Sequence, residues 1–272
     1  MRQLVLNGFA AFAWCAACLP AHAAASPRIN EVLAANTASI EDEDGDSSDW
    51  IELHNHGPAV DLRDWGLSDG KADPFKWRFP GVTINSNQFL IVWASGKDRR
   101  TPGAPLHANF RIDSDGDALY LTDAAGGAVD SAPAASLPPD ISFGRTPDGT
   151  GAWAFFAAPT PGAANTTAGY AEALFPPAFS HTGGMYTDAL LLAMSSTATG
   201  AVIRYTLDGS EPTAQSPVFT NGSTLLIKSR RGDSNSIAMI KTSPYWKPTT
   251  GELFKATVVR ARAFKPQSIT SR

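Results

Sequence analysis

Cysteine is nearly absent from this sequence: Cys15 and Cys18 are the only two among 272 residues. Both lie within residues 1–23, which we predict to be a signal peptide that is removed on export. The mature chain then contains no thiol. This absence excludes disulfide bonds, thiolate metal sites and cysteine-based catalysis, so stability has to come from the burial of apolar side chains.

Apolar runs long enough to span a membrane are lacking as well. Arg2 precedes a mostly apolar stretch, Leu4–Leu19, and small residues stand at Ala21 and Ala23, the spacing that signal peptidase recognises. The stretch has 16 residues, whereas a transmembrane helix needs about 20. We therefore expect cleavage near Ala23, with Ala25 as the neighbouring option. The mature chain should contain no transmembrane segment and be secreted, extracellular or located in the cell envelope.

An excess of positive charge is also missing. The chain contains 22 Lys and Arg against 26 Asp and Glu, which gives a formal net charge of −4 and a pI near 5.7. A mildly acidic protein has no bulk attraction for nucleic acid or for an anionic membrane, so no nucleic-acid partner is expected.

Helical periodicity is the last notable absence. Apolar runs are short and are separated by turns, in a chain with 23 Gly and 20 Pro. Strand-like runs include "RINEV" from Arg28, "DWIELHN" from Asp49, "FLIVWAS" from Phe89, "VIRYTLDG" from Val202 and "TVVRARAF" from Thr257. Many short strands bounded by turn residues predict an all-β chain of sandwich or barrel type.

A stretch rich in Ala, Pro, Gly and Thr separates two such β regions. We predict a first domain over residues 24–165, a linker over 166–175 and a second domain over 176–272. An irregular polar insert, 230–251, interrupts the second domain. Because the chain ends eight residues after the last strand-like run, which closes at Phe264, we expect the second domain to be truncated at its carboxyl terminus.

Seven segments of the first domain follow one another in a recognisable order. They are "INEVLAAN" from Ile29, "DWIELHN" from Asp49, "VDLRDWGLSD" from Val60, "FLIVWASG" from Phe89, "DGDALYLTD" from Asp115, "SFGRTPDG" from Ser142 and "PTPGAAN" from Pro159. This succession resembles the lamin tail domain in its bacterial, secreted form. The resemblance implies an immunoglobulin-like β-sandwich. It implies no catalytic residues, since that family has no agreed ones.

The second domain contains "PPAFSHTGGMYTDALLLAMSS" from Pro176, "IRYTLDGSEPT" from Ile203 and "VVRARAF" from Val258. These segments resemble the small C-terminal module of chitobiase and β-hexosaminidase, which is also an immunoglobulin-like sandwich. The enzymes that name the module carry their catalytic carboxylates in another domain, so the resemblance does not imply glycosidase activity. In bacterial surface proteins, this tandem is found upstream of domains similar to the spore-coat protein H kinase family.

The stretch "EDEDGDSSD" places six acidic side chains and no basic one in residues 41–49. A calcium loop of the EF-hand type needs acidic ligands at positions 1, 3 and 5, Gly at 6 and Glu at 12. Counted from Asp42, the acidic positions fit, but Ser47 takes position 6 and Leu53 takes position 12. We therefore predict a tight turn at Asp44–Gly45 that feeds a strand, and no metal site.

Weak calcium binding by the crowded carboxylates is the alternative. It predicts that Ca²⁺ stabilises the first domain. The turn interpretation predicts no effect of Ca²⁺. It also predicts that Asn in place of Asp42, Asp44 and Asp46 leaves stability nearly unchanged or slightly improved, because like charges in one loop repel.

Other candidate ligands are sparse. His54 and His56 share one face of a strand end and could bind Zn²⁺ or Cu²⁺, but no third ligand lies nearby in the sequence. We predict that they are solvated strand-end residues. The RGD tripeptide within Arg230–Asp233 is predicted to be a turn without a binding role. No nucleophile elbow, phosphate-binding loop or zinc-protease motif is present.

Tryptophans offer the remaining hypothesis, because an exposed pair can form a carbohydrate-binding platform. Trp50 and Trp93 lie within predicted strands, so we expect them in the core. Trp65 and Trp77 flank a turn-rich segment and are the better candidates for surface contact.

We therefore predict no catalytic, cofactor-binding or metal-binding residues. The chain is interpreted as a non-catalytic structural or adhesion module of a larger envelope protein that contacts a protein or a polysaccharide. The alternative is an accessory region of an enzyme, kinase-like or carbohydrate-active, whose catalytic domain follows residue 272. A carbohydrate-binding module is a third possibility.

Overall fold

A computed structural model describes residues 27–186 and 188–272. Twenty β-strands and one short 3₁₀-helix form the regular structure of these residues, which include no α-helix. No helix in this part of the chain is long and apolar enough to cross a membrane. The prediction of an all-β chain is confirmed. The predicted signal peptide, residues 1–23, lies outside the described residues.

The first unit contains thirteen strands in two packed sheets and a small ribbon. They are β1 (Arg28–Leu33), β2 (Trp50–His54), β3 (Val60–Asp61), β4 (Gly66–Ser68), β5 (Trp77–Arg78), β6 (Thr83–Ile84), β7 (Phe89–Trp93), β8 (Leu106–His107), β9 (Leu119–Thr122), β10 (Ala128–Ala132), β11 (Ser142–Thr146), β12 (Ala152–Phe156) and β13 (Gly169–Tyr170). The larger sheet has the order β13-β12-β11-β1-β2-β7-β8, the smaller one β10-β9-β4-β5, and β3 pairs with β6. Pairing is antiparallel except between β7 and β8.

Strand β2 shows why both faces of the larger sheet are buried. Ile51 and Leu53 belong to the main core between the two sheets. Trp50 lies on the opposite face, since successive side chains of a strand alternate, and it packs with Leu33 and Trp93. The strand is therefore buried along its whole length.

The tryptophans correct one hypothesis from the sequence. Trp50 and Trp93 are buried, as expected. Trp65 and Trp77 are buried too, with 8% and 0% of their surface exposed, and both belong to the main core. The idea that these two make surface contacts is wrong. The turn-rich segment between them folds back so that β4 pairs with β5, and the Trp77 ring packs edge-on against Phe79 at a centroid distance of 4.8 Å.

The segment predicted as a linker, residues 166–175, makes backbone hydrogen bonds to both units. Its strand β13 pairs with β12 at the edge of the larger sheet. Its other end bridges to the second unit, where the N–H of Leu174 donates to Ile269 O at 3.0 Å. The Leu174 side chain is buried. The segment therefore has more structure than its small, turn-forming residues indicate.

The second unit contains seven short strands in three small sheets. They are β14 (Ala178–Phe179), β15 (Leu190–Leu192), β16 (Met194–Ser195), β17 (Val202–Thr206), β18 (Val218–Phe219), β19 (Leu225–Ile227) and β20 (Arg260–Phe264). The sheets are β14-β16, β15-β19 and β18-β17-β20. Their core is small, and Met194, Ile203 and Phe219 form its buried cluster.

Between β19 and β20 the chain is irregular, as the sequence predicts. The described structure of residues 228–256 contains the 3₁₀-helix Ile237–Met239 and no strand. This segment is called the insert below. It is wider than the predicted 230–251 because β19 ends at Ile227.

Candidate functional site

The acidic stretch that precedes β2 is a turn closed by its own backbone. The N–H of Gly45 donates to Asp42 O, and the N–H of Asp42 donates to Asp46 O, both at 2.9 Å. Gly45 has a φ of 82°, a left-handed conformation that glycine adopts without steric cost. The predicted turn at Asp44–Gly45 is present.

Asp42 is the structural centre of this turn. Its carboxylate is fully shielded from solvent. It accepts hydrogen bonds from the backbone N–H groups of Asp44 at 3.0 Å and Asp46 at 3.1 Å, and from the Ser48 hydroxyl at 2.8 Å. In the sequence the six acids look equivalent, but Asp42 is a buried acceptor that organises the loop.

Lys97 supplies the positive charge that the stretch lacks. Its Nζ lies 2.6 Å from an oxygen of Asp42, 2.6 Å from Asp44 and 2.9 Å from Asp46. In the described part of the chain, these three aspartates are the only group of acidic or histidine side chains whose ligand atoms converge as a metal site requires, within 4.8 Å of one another. The ammonium group of Lys97 thus binds the three oxygens that a cation would use.

The pKa shifts follow from this arrangement. Burial alone would raise the pKa of Asp42, but hydrogen bonds from Lys97, Ser48 and two backbone N–H groups outweigh it and lower the pKa. Burial likewise opposes the charge of Lys97, yet its contacts with three carboxylates raise its pKa. Hydrogen bonds from Arg99 and Lys97 lower the pKa of Asp44. All three groups therefore stay ionised at neutral pH.

A second set of contacts extends this cluster. Arg99 lies 2.6 Å from Glu43 and 2.7 Å from Asp44. His107 is fully buried; its Nε2 lies 2.9 Å from Glu43 and its Nδ1 lies 2.8 Å from the Ser95 hydroxyl. In the sequence, His107 is an isolated histidine more than 60 residues from Glu43, so spacing alone could not associate them.

A polar cavity of about 360 Å³ adjoins the turn. Asp46, Asp49, Ser95, Lys97 and Arg111 contribute to its lining. Burial raises the pKa of Asp49, and Arg111 donates its Nε–H to Ser95 O at 3.1 Å. The volume would fit about ten water molecules, and the mixed charges favour no single ionic ligand.

Two buried glutamates form a second polar cluster, on the outer face of the larger sheet. Glu31 of β1 and Glu52 of β2 are directly opposite each other, and neither is exposed. Glu31 accepts a short hydrogen bond from Ser142 and a bond of 3.1 Å from the Thr160 hydroxyl. Glu52 accepts hydrogen bonds from Asn30 at 3.0 Å and from the N–H of Gly162 at 2.6 Å.

Both glutamates have raised pKa values. Burial raises the pKa of Glu52 to about 8, although hydrogen bonds from Asn30 and Gly162 act in the opposite direction. Burial also raises the pKa of Glu31, which the bonds from Ser142 and Thr160 only partly offset. The segment that contains Thr160 and Gly162 covers the pair, so the cluster fastens the end of the first unit to its sheet and has no access for a substrate.

His54 and His56 lie in different surroundings. His54 is buried and stacks on Phe89 with ring centroids 4.4 Å apart, and burial lowers its pKa. The His56 ring is exposed, and its centroid lies 6.3 Å from that of His54. The prediction that both are solvated is wrong for His54, because the outer face of the sheet is covered.

The RGD tripeptide lies in the exposed insert and forms a turn, as predicted. The N–H of Asp233 donates to Arg230 O at 3.0 Å, and the two side chains form an ion pair of 2.8 Å. Arg231, the arginine of the tripeptide, pairs instead with Glu252. Both charged side chains of the tripeptide therefore have a partner within the same segment.

In the first unit two sheets pack together, loops cover the outer face of the larger sheet, and the paired glutamates on that face are shielded from solvent. Comparisons with protein families agree with this architecture. Residues 20–135 match the Lamin Tail Domain. Residues 181–272 match the Chitobiase/beta-hexosaminidase C-terminal domain. No curated protein matches the chain.

Both resemblances inferred from the sequence are thus confirmed, and so is the tandem of immunoglobulin-like β-sandwiches. The Lamin Tail Domain match ends before β11, although β11, β12 and β13 complete the larger sheet of that unit. The proximity of a domain similar to spore-coat protein H remains a prediction. The two domain types indicate a non-catalytic module.

Proposed function

We propose that this chain is a non-catalytic contact module of a larger exported protein. The first unit acts as a rigid spacer, and the second unit makes contact with a component of the cell envelope. The observation that carries the proposal is the difference between the side chains of the two units. The buried acidic groups of the first are bound by partners from their own chain, whereas many large apolar side chains of the second are exposed.

The carboxylates of the first unit support a structural role. Acid–base catalysis by a carboxylate pair requires access to a substrate and two separated pKa values. Glu31 and Glu52 lie under the segment that contains Thr160 and Gly162 and are shielded from solvent. Asp42 is equally shielded and binds Lys97. Each of these groups is explained by the contacts that it makes within the fold.

The exposed apolar side chains of the second unit support contact with a partner. Soluble monomers expose few large contiguous apolar surfaces, and larger ones mark interaction sites. Every large apolar side chain that is exposed in the described residues lies between Phe175 and Val258. Contact is therefore assigned to the second unit, and export is supported by the leader-like residues 1–23.

The test is sedimentation of residues 24–272 with separated envelope components, namely peptidoglycan, lipid vesicles and extracellular polysaccharide. The proposal predicts saturable binding to at least one component. Tyr245→Ser with Phe254→Ser in the second unit should weaken it, and Lys71→Gln on the surface of the first unit should not. Binding to none of them, or equal loss in both variants, would contradict the proposal.

An accessory region of an enzyme would make the same contacts. The sequence of the parent gene downstream of residue 272 separates this alternative from the module proposed above. A reading frame that continues into a kinase-like or carbohydrate-active domain would favour the accessory role.

A further inference from the structure

Although the net charge of the chain is modest, its two units have formal charges of opposite sign. Residues 27–174 contain 10 Lys and Arg against 21 Asp and Glu, a formal charge of −11. Residues 175–272 contain 11 against 5, a formal charge of +6. The net charge of the whole chain predicts no attraction for anionic surfaces. This expectation therefore holds for the first unit and not for the second.

Much of this positive charge lies in the insert, residues 228–256. It contains six Lys and Arg and two acidic residues. Arg230 and Arg231 are paired with the two acidic residues. Lys241 and Lys247 are exposed, and no described carboxylate lies within ion-pair distance of either. These two lysines contrast with Lys97 of the first unit, which contacts three carboxylates.

Exposed apolar side chains alternate with these lysines along the insert. Ile240, Tyr245 and Phe254 are exposed by 60%, 91% and 81%. Each stands within two residues of a lysine, because Lys241, Lys247 and Lys255 follow them. An irregular, basic segment of this kind combines long-range attraction to negative charge with apolar groups that can leave water on contact.

A pair of leucines extends the apolar surface beyond the insert. Leu191 of β15 and Leu226 of β19 are directly opposite each other in the two-stranded sheet, and they are exposed by 58% and 56%. Paired residues of neighbouring strands lie on one face of the sheet. Strand β19 ends at Ile227, next to Lys228, so this face runs directly into the basic segment.

We propose that the insert, together with the Leu191–Leu226 pair, binds the surface of an anionic lipid bilayer. The lysines are attracted to the negative headgroups, and the apolar side chains enter the boundary between headgroups and acyl chains. The charge of the first unit favours the same orientation, since a unit of −11 is repelled and points away from the bilayer. This inference rests on the proposed contact function and names its partner.

The apolar side chains favour a bilayer over a soluble polyanion. Single-stranded nucleic acids are bound by cations together with flat aromatic platforms. Ile240 and the two leucines, aliphatic and exposed, contribute little to such platforms. A lipid boundary uses aliphatic and aromatic groups alike.

The experiment measures cosedimentation of residues 24–272 with vesicles of phosphatidylcholine alone and of phosphatidylcholine mixed with phosphatidylglycerol. Lys241→Gln with Lys247→Gln removes two charges from the insert. Arg63→Gln with Lys71→Gln is the matched control, because it removes two exposed charges from the first unit. Tyr245→Ser with Phe254→Ser removes apolar surface without changing charge. Melting temperatures of all variants are compared with that of the unmodified chain to verify folding.

We expect binding to the mixed vesicles only. Each lysine near an anionic surface strengthens binding about fivefold, so the insert double variant should bind at least about tenfold more weakly. The serine variant should also weaken binding severalfold, and the matched control should not. High salt should reduce binding by the unmodified chain.

Equal binding to both vesicle types, or no binding to either, would overturn the inference. If the lysine variant weakens binding but the serine variant does not, the surface is a simple cation site, and competition by DNA or polyphosphate would identify it as such. Failure with vesicles but saturable binding to peptidoglycan or polysaccharide would refute the lipid partner and leave the contact function intact.

Discussion

The two units bury their apolar side chains to different degrees. In the first, two sheets enclose a large core, and even the outer face of the larger sheet is buried under loops. In the second, a buried cluster of three residues supports three small sheets, and apolar side chains remain on the surface. Both have the architecture of a β-sandwich. This difference is the basis for the proposal that the second unit, and not the first, makes contact with a partner.

The largest expected effect concerns the small core. Phe219→Ala removes one of the three residues of the buried cluster, whose ring also packs edge-on against Tyr205. A truncation of this kind costs about 3–5 kcal/mol, which should abolish the unfolding transition of the second unit and leave that of the first. Urea denaturation monitored by tryptophan fluorescence and circular dichroism measures both. The neighbouring Val218→Ala is the control, because Val218 is 51% exposed.

That experiment also tests whether the units fold separately. They are linked by the Leu174–Ile269 hydrogen bond and by ion pairs of 2.5 Å between Lys265 and Glu172 and 3.3 Å between Arg272 and Asp140. A parallel loss of both transitions in Phe219→Ala would show that these links make one cooperative unit.

The next effect concerns Lys97. Lys97→Ala leaves the shielded carboxylate of Asp42 without its cation, and removing one partner of a buried pair costs about 3 kcal/mol. Asp42→Asn should cost about 2 kcal/mol, because an amide replaces a carboxylate that accepts four hydrogen bonds. Asp46→Asn is the control, since Asp46 is largely exposed, and it should cost less than about 1 kcal/mol.

These expectations revise the one derived from the sequence, in which all three Asn replacements were nearly neutral. Free energies of unfolding from urea titration of the first unit decide between the two. Equal values for Asp42→Asn and Asp46→Asn would support the simple charged turn.

A smaller effect is the pH dependence of the first unit. Glu52 has a folded-state pKa raised to about 8 from an unfolded value near 4.5. The folded state therefore binds more protons between these values, and the stabilisation present at lower pH is lost as pH rises through the folded-state pKa. Because Asp42 has a lowered pKa, its contribution is lost instead as pH falls below its ordinary range. Stability should be greatest at about pH 4–5.

Glu52→Gln tests the assignment, since glutamine does not titrate. The fall in unfolding free energy between pH 5 and pH 8 should become shallower by up to about 1.4 kcal/mol per pH unit. Glu41→Gln, at an exposed position, should leave the slope as it is. A slope that is unchanged in Glu52→Gln would assign the titration to another group.

The smallest expected effect is that of calcium. Because Lys97 contacts all three converging carboxylates, the melting temperature of the first unit should agree within error between EDTA and millimolar Ca²⁺. A bound ion at 100 times its dissociation constant would add about 2.7 kcal/mol, or roughly 5–10 °C in a domain of this size. A rise of that order, abolished in Asp44→Asn, would establish a metal site.

The sequence predicted the class of fold, the two domain types and the turn at Asp44–Gly45, because strand periodicity and turn chemistry are local properties. It did not predict the partner of that turn, since Lys97 and Asp42 are 55 residues apart in the chain. A run of like charges was visible, but the charge that neutralises it was not.

The buried glutamates show a second limit. In "WIELH", alternation predicts only that Glu52 lies opposite the main core. In "RINEV", alternation would place Glu31 on the same face as the core residue Ile29, and a β-bulge between these two residues turns Glu31 to the outer face. Whether that face meets water depends on what covers it, and the covering segment near Thr160 is over 100 residues away. The same property misplaced His54. Trp65 and Trp77 were misplaced for another reason, because the turn-rich segment between them folds back and buries both in the main core. A pattern identifies the sides of a strand and leaves open what packs on each side.

The ammonium group of Lys97 acts as a counter-ion that cannot diffuse away. A metal ion has to be captured from the surroundings, and its occupancy falls on dilution or when a chelator competes for it. A counter-ion attached to the backbone is present at the same local concentration in every medium. The loop before β2 is thus expected to retain its shape in calcium-poor and calcium-rich water alike, which suits the export proposed above.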